Sequence, residues 1–95
     1  MAVKVILHRR VPFEKESQVR PLLLELRTLA MAQPGYVSGE TLMNVDDPEE
    51  VLVISTWTSI EKWNAWLNNP RRAAVQDRVD ALLERSTYYQ VFYHA

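Results

Sequence analysis

The stretch VLVISTWTSIEKWNAWL, residues 51–67, passes from a strand pattern into a helix pattern. Residues 51–57 are rich in β-branched residues and apolar on both faces, which is typical of a central strand. Thr58 and Glu61 form a capping box, in which Thr58 caps a helix and Glu61 bonds back to it. The following apolar residues keep helical spacing: Ile60, Trp63 and Leu67. The stretch predicts a strand that leads directly into a short helix.

The remaining segments supply three more strands and two more helices. Strand patterns cover residues 3–9, 36–44 and 87–93, and helix patterns run from about 17 to 32 and from 70 to about 85. Pro21 indicates that the first helix becomes regular near Val19 or that its first turn is bent, and Gln33-Pro34-Gly35 ends that helix. Gly39 indicates a bulge or a close backbone approach in the second strand. Asn69 is predicted to cap the last helix.

This order of elements predicts an α+β, ferredoxin-like βαββαβ domain with a four-stranded antiparallel sheet and its helices on one face. The other face is then bare. Because large exposed apolar patches usually mark interfaces, we expect a homodimer packed sheet on sheet. Candidates for this face are alternate members of Val3/Val5/Leu7, Val51/Val53 and Tyr89/Val91/Tyr93. The predicted core includes Trp57, Trp63 and Phe13.

Composition excludes several classes of protein. The 95 residues fit a single domain, 1–95, and the net charge of −1 gives no footprint for nucleic acid. The absence of cysteine excludes disulfides and thiol nucleophiles. No signal peptide or membrane span is apparent, so we expect a cytoplasmic protein with no membrane partner. His8 and His94 fall at opposite ends of neighbouring strands, so no metal site is expected.

Two kinds of charged cluster have alternative interpretations. The acidic segment 46–50 fits a solvated turn better than a cation site, because Asp and Pro favour turns. Arg9-Arg10 and Arg71-Arg72 fit solvated surface or an anionic ligand. Arg71-Arg72 lies in the first turn of a helix, where cations are slightly unfavourable, and this favours the ligand a little. Trp66 lies off the helical stripe, so it packs in the core or an interface, or it walls a ligand cavity.

The chain resembles the antibiotic biosynthesis monooxygenase family over nearly its whole length. The resemblance is carried by Gln33-Pro34-Gly35-Tyr36 and by residues 57–67. It implies a dimeric α/β barrel with a pocket between helices and sheet. Heme-degrading members use an Asn, a Trp and a His that fall on His8, Trp66 and Gln76, and only the Trp is retained. Heme binding or degradation is therefore disfavoured, and we expect no cofactor.

The cofactor-free branch of the family implies oxygenation of a small aromatic substrate such as a quinol or an anthrone. Once deprotonated, such a substrate passes an electron to dioxygen without flavin or metal. On this hypothesis His8 is the base, and Gln76 and Arg72 bond the developing oxyanion. The catalytic candidates are His8, Trp66 and Gln76, and the substrate-binding candidates are Tyr36, Trp63 and Arg72. The alternatives are a non-catalytic dimer that binds a small ligand or responds to stress, and a structural dimer with a filled core.

Overall fold

The computed structural model describes residues 1–84 and 87–95. Its elements in chain order are β1 (Val3–Arg10), α1 (Phe13–Met31), β2 (Tyr36–Met43), β3 (Glu50–Trp57), α2 (Ile60–Leu67), α3 (Pro70–Leu83) and β4 (Tyr88–Tyr93). The strands form one sheet in the order β2-β3-β1-β4, and all three neighbouring pairs are antiparallel. This arrangement confirms the predicted α+β ferredoxin-like plan, with β3 as one of the two central strands.

The face of each strand that meets the helices differs from the expectation. Val3, Val5 and Leu7 of β1 are buried, and their partners on β3 and β4 lie on the same side of the sheet. Of these partners, Trp57, Val53, Tyr89 and Val91 are in the core or packed against it, whereas Tyr93 at the end of β4 is 58% exposed. The residues expected on the bare face therefore form the helix-covered face. Their apolar row packs against the helices, and the intervening row forms the other surface, which we call the open face: Lys4, Ile6, His8 and Arg10 of β1, Glu50, Leu52, Ile54 and Thr56 of β3, and Tyr88, Gln90 and Phe92 of β4.

The first helix begins earlier than predicted. α1 starts at Phe13 after Pro12, so Pro21 lies inside the helix rather than near its start. Pro21 and Ser17 are both exposed, and water can satisfy the Ser17 carbonyl that the proline leaves without a donor. Phe13 is 73% exposed and does not belong to the core, because it lies in the first turn on the solvent side of α1.

The caps of the other two helices lie close to their predicted positions. Ser59, not Thr58, caps α2, and its hydroxyl accepts a hydrogen bond from the Lys62 N–H at 3.2 Å. Asn69 caps α3 as predicted, accepting from the N–H groups of Arg71 and Arg72. The predicted end of this helix near residue 85 lies outside the described residues.

Both glycines allow close packing beside β2. Gly35 has a φ of +88°, and a Cβ atom there would lie 2.5 Å from the Lys62 side chain on α2. A Cβ atom on Gly39 would lie 2.5 Å from the Tyr36 hydroxyl, next to a register shift between Tyr36 and Ser38. The predicted irregularity in β2 is confirmed, and its effect is to leave room for the Tyr36 ring.

Candidate functional site

A cavity of about 290 Å³ lies between the helices and the sheet. The strands line it with residues such as Leu7, Thr41 and Val53, and α1 contributes Leu23 and Leu26. Its volume is near the lower end of the range of about 300–1,000 Å³ for small-molecule sites. The subunit therefore does not have the fully packed core that a purely structural dimer requires.

Aromatic rings form one wall of the cavity. The indoles of Trp57 and Trp66 stack with centroids 6.4 Å apart, and Trp63 meets Trp57 edge-on at 5.8 Å. The ring of Tyr36 meets Trp57 edge-on at 5.4 Å. The Trp57 N–H donates to the Ser55 hydroxyl at 3.1 Å, which fixes the central indole. All four rings line the cavity, so they present a largely apolar aromatic wall to a ligand.

The predicted core tryptophans are confirmed as buried. Trp66 has both of the roles considered for it, core packing and a wall of the cavity. Trp57 and Trp63 are only 1% and 2% exposed. Trp66 is equally part of the hydrophobic core, yet its ring also lines the cavity. Core packing and a ligand wall are therefore not exclusive here, because the cavity lies inside the core.

A polar group of residues, the arginine cluster, also lines the cavity and consists of Arg9, Arg72 and Gln76. Arg9 donates from Nη2 to the Gln76 Oε1 at 3.2 Å. The Gln76 Nε2 donates to the Asp80 carboxylate at 2.9 Å and to the Thr87 hydroxyl at 2.6 Å. Both amide hydrogens of Gln76 are thus engaged, and Gln76 holds Arg9 in place rather than presenting a donor to the cavity.

Arg72 is a buried cation, and Arg9 is partly buried with its Nε shielded from solvent. Burial, and secondarily the charge of Arg72, lowers the pKa of Arg9 to about 10, although Asp80 acts in the opposite direction. Burial also lowers the pKa of Arg72, and Tyr89 and Asp80 partly oppose that shift. Within the described part of the chain, the arginines that form ion pairs with carboxylates are Arg10 and Arg20, not these two.

His8 does not join the other candidates. Leu7 and Arg9 line the cavity, so the pleat turns the intervening His8 to the open face, where its ring lies 5.3 Å from that of Tyr88. The expectation that His8 acts as a base on a ligand in this cavity is corrected on geometry. The remaining candidates are brought together around the cavity: Trp66, Gln76, Tyr36, Trp63 and Arg72.

Arg9 lines the cavity but was not among the candidate site residues. For the Arg9-Arg10 doublet the sequence left two alternatives open, solvated surface and an anionic ligand, because charge alone does not show on which face a strand residue lies. Arg9 continues the buried phase of Val3, Val5 and Leu7 along β1, and this phase was the signal that could have decided between them.

The donor set does not fit heme or a bound metal ion. His8 lies on the open face and His94 is exposed after β4, so neither imidazole of the chain lines the cavity. Among residues 1–84 and 87–95, no group of three His, Asp or Glu side chains is placed to hold a metal ion. In the same ranges, no helix is long and apolar enough to cross a lipid bilayer.

The fold and cavity define a small α+β domain of the ferredoxin-like class that encloses an aromatic-walled site. The family model of antibiotic biosynthesis monooxygenases matches residues 2–78. The chain belongs to that family. No curated protein matches it.

Solved structures share this fold at low sequence identity. A conserved protein from Methanosarcina mazei superposes with a TM-score of 0.91 at 14% identity, covering 100% of this chain and 94% of that one. Rv0793 from Mycobacterium tuberculosis gives 0.87 at 21%, covering 100% and 96%. SnoaB, a cofactor-independent oxygenase from Streptomyces nogalater, gives 0.85 at 17%, covering 99% and 93%. These similarities establish the fold of the whole described chain.

Proposed function

We propose that this protein is a cofactor-independent monooxygenase that oxidises a small electron-rich aromatic substrate of the quinol or anthrone type. The observation that carries the proposal is the cavity, which is lined by four aromatic rings and by the guanidinium groups of Arg9 and Arg72. Membership of the monooxygenase family supports it, as does the fold shared with a cofactor-independent oxygenase.

The aromatic wall binds the substrate ring, and Arg72 favours its anion. A guanidinium beside a phenol or enol stabilises the oxyanion in a site of low dielectric and so promotes loss of the substrate proton to water. Arg72 uses one hydrogen bond, to the Leu67 carbonyl at 3.3 Å, and keeps further N–H donors for this purpose. Since His8 lies on the other face, this stabilisation takes the place of a histidine base.

The chemistry requires only the substrate anion and dioxygen. The anion passes one electron to dioxygen, and the resulting substrate radical and superoxide combine through a new C–O bond. In an anthrone, the peroxide then loses the remaining C–H proton and releases hydroxide as the O–O bond breaks, leaving a carbonyl. One oxygen atom enters the quinone product and the other ends in water, so a methylene group and O₂ give a carbonyl and H₂O.

Dioxygen consumption with a panel of quinols and anthrones tests this activity. We expect wild-type protein to accelerate uptake in the presence of a metal chelator, and Trp66→Ala and Arg72→Met to lower the rate at least about tenfold. Arg71→Met is the matched control, because Arg71 is the exposed neighbour of Arg72 on the same helix. Dioxygen uptake no faster with wild type than with Trp66→Ala would refute the oxygenase activity. Binding of these compounds without turnover would favour a non-catalytic ligand-binding dimer.

We also propose that the protein forms a homodimer through the open face. Phe92 and Tyr88 of this face are 46% and 58% exposed, and Ile54 in its centre is only half-buried in the single subunit. The apolar residues in the middle of this face, flanked by charged residues such as Lys4 and Arg10, form a patch of the kind that a partner usually covers. Sedimentation should give twice the chain mass of 11.1 kDa, and Ile54→Glu should give the monomer. Val45→Glu, in an exposed turn, should leave the dimer intact, and a wild-type monomer at micromolar concentration would contradict this assembly.

A further inference from the structure

The cavity is lined by a buried cation, Arg72, and a partly buried one, Arg9, whose hydrogen-bonding capacity is largely unused. Arg9 donates to the Gln76 Oε1, but its Nε is buried and has no hydrogen-bond partner. Arg72 donates from its side chain to the Leu67 carbonyl. Buried charges are normally paired and buried donors are normally bonded, because desolvation without a partner is costly. The arginine cluster therefore keeps hydrogen-bond donors that no described residue engages.

Most of the other charges around the cavity are also positive. Four of the eight arginines of the chain line the cavity, although the net charge of the chain is −1. Arg20 and Arg27 are exposed residues of α1 on its lining, and among the described residues Glu40, also exposed, is the acidic residue there. Cations on the approach and inside a low-dielectric cleft attract and concentrate anions.

Gln76 separates the guanidinium of Arg9 from the carboxylate of Asp80. The Asp80 carboxylate accepts from the Gln76 amide, from the Thr87 N–H and from the Thr87 hydroxyl, so its oxygen Oδ1 is fully used. The neutral amide of Gln76 lies between this carboxylate and the Arg9 guanidinium. Arg9 is thus held by a neutral acceptor and remains available to a ligand anion.

We propose that the natural substrate is an aromatic carboxylate, and that Arg9 and Arg72 together bind its carboxylate while the tryptophan wall binds its ring. This substrate class rests on the proposed oxygenase function. An oxyanion formed only during turnover compensates one guanidinium for a moment, whereas a permanent carboxylate compensates the pair as soon as substrate binds. Guanidinium groups match a planar carboxylate in geometry and charge, and they bind it through charge-assisted hydrogen bonds.

Anaerobic calorimetric titration with a matched pair of probes tests the carboxylate site. The probes are 2,5-dihydroxybenzoate and its neutral isostere 2,5-dihydroxybenzamide, which share the ring and differ in charge. We expect the carboxylate to bind at least about tenfold more tightly, because hydrogen bonds to charged groups add affinity of this order. Arg9→Met and Arg72→Met should each reduce that preference at least about threefold. Arg9→Lys should retain part of it, and Arg71→Met should leave it unchanged.

The outcomes separate the carboxylate site from the oxygenase activity, because no dioxygen is present during titration. Equal binding of the two probes, binding of neither, or a preference that survives both methionine variants would overturn the carboxylate site. Sodium sulfate that binds as tightly as the dihydroxybenzoate would also overturn it, since the site would then select an inorganic anion and not an aromatic one. Thermal unfolding of each variant checks that it is folded. Dioxygen uptake with neutral quinols tests the oxygenase independently.

Discussion

The two faces of the sheet treat adjacent arginines in opposite ways. Arg10, on the open face, donates to Asp47 at 2.7 Å and to Glu49 at 3.4 Å, and the hydrogen bond to Asp47 raises its pKa. Arg9, one residue earlier on the helix-covered face, has a neutral partner, and burial lowers its pKa to about 10. One charge is neutralised by the protein itself, and the other is left for a ligand.

The difference concerns how much stability a cation costs on each face of the sheet. On the open face a cation is solvated and paired, so it costs little and contributes little. On the helix-covered face the desolvation of a cation costs stability, and the packing of the tryptophan core offsets this cost. Four changes test this contrast between the two faces.

Trp57→Ala should have the largest effect, because it removes the indole that touches the other three rings of the wall. We expect the free energy of unfolding to fall by about 3–5 kcal/mol, as for other buried large-to-small changes. Urea denaturation measures it, with Val45→Ala in the exposed turn as control. A loss as small as that of the control would show that the aromatic wall is not part of the supporting core.

Arg9→Met should stabilise the ligand-free protein, because it replaces a partly buried, unpaired cation with an apolar side chain of similar length. We expect the free energy of unfolding to rise by about 1–3 kcal/mol. The matched change Arg10→Met on the open face should give no such increase. If Arg9→Met were the less stable of the two variants, the contrast between the faces would be wrong.

Asn69→Ala should weaken the helix turn that carries Arg72. The Asn69 side chain accepts from the backbone N–H groups of Arg71 and Arg72, and loss of an N-cap costs about 0.5–2 kcal/mol. Chemical denaturation gives this cost, and the affinity for 2,5-dihydroxybenzoate should fall with it. Ser59→Ala, which removes the cap of α2, is the control, and it should cost similar stability while leaving that affinity less affected.

The smallest effect should be a change of affinity at high pH. Arg9, whose pKa is lowered by burial to about 10, is charged below that pH and loses its proton above it. Affinity for the carboxylate probe should be constant near neutrality and fall about twofold by pH 10, where half of Arg9 is neutral. Arg9→Met should remove this dependence. Above pH 10 the unfolded chain keeps this proton more readily than the folded protein does, so Arg9 also makes stability rise with pH there.

Local patterns in the sequence were sufficient for the element order, the cap at Asn69 and the irregularity at Gly39. They were not sufficient for the phase of the strands, because β1 carries apolar residues on both faces and only helix packing selects Val3, Val5 and Leu7 for the core. The same ambiguity misplaced His8 and concealed Arg9. Tertiary contacts, which a local pattern does not contain, decided all of these positions.

The aromatic wall has a consequence for how the protein can be observed. All three tryptophans of the chain line the same cavity, and Trp57 and Trp66 lie with their ring planes only 20° apart. Emission excited at the red edge of tryptophan absorption therefore originates almost entirely from the site, with no distant indole to dilute it. The wild-type chain carries its own optical probe, and filling of the cavity is readable at nanomolar to micromolar concentration without a label.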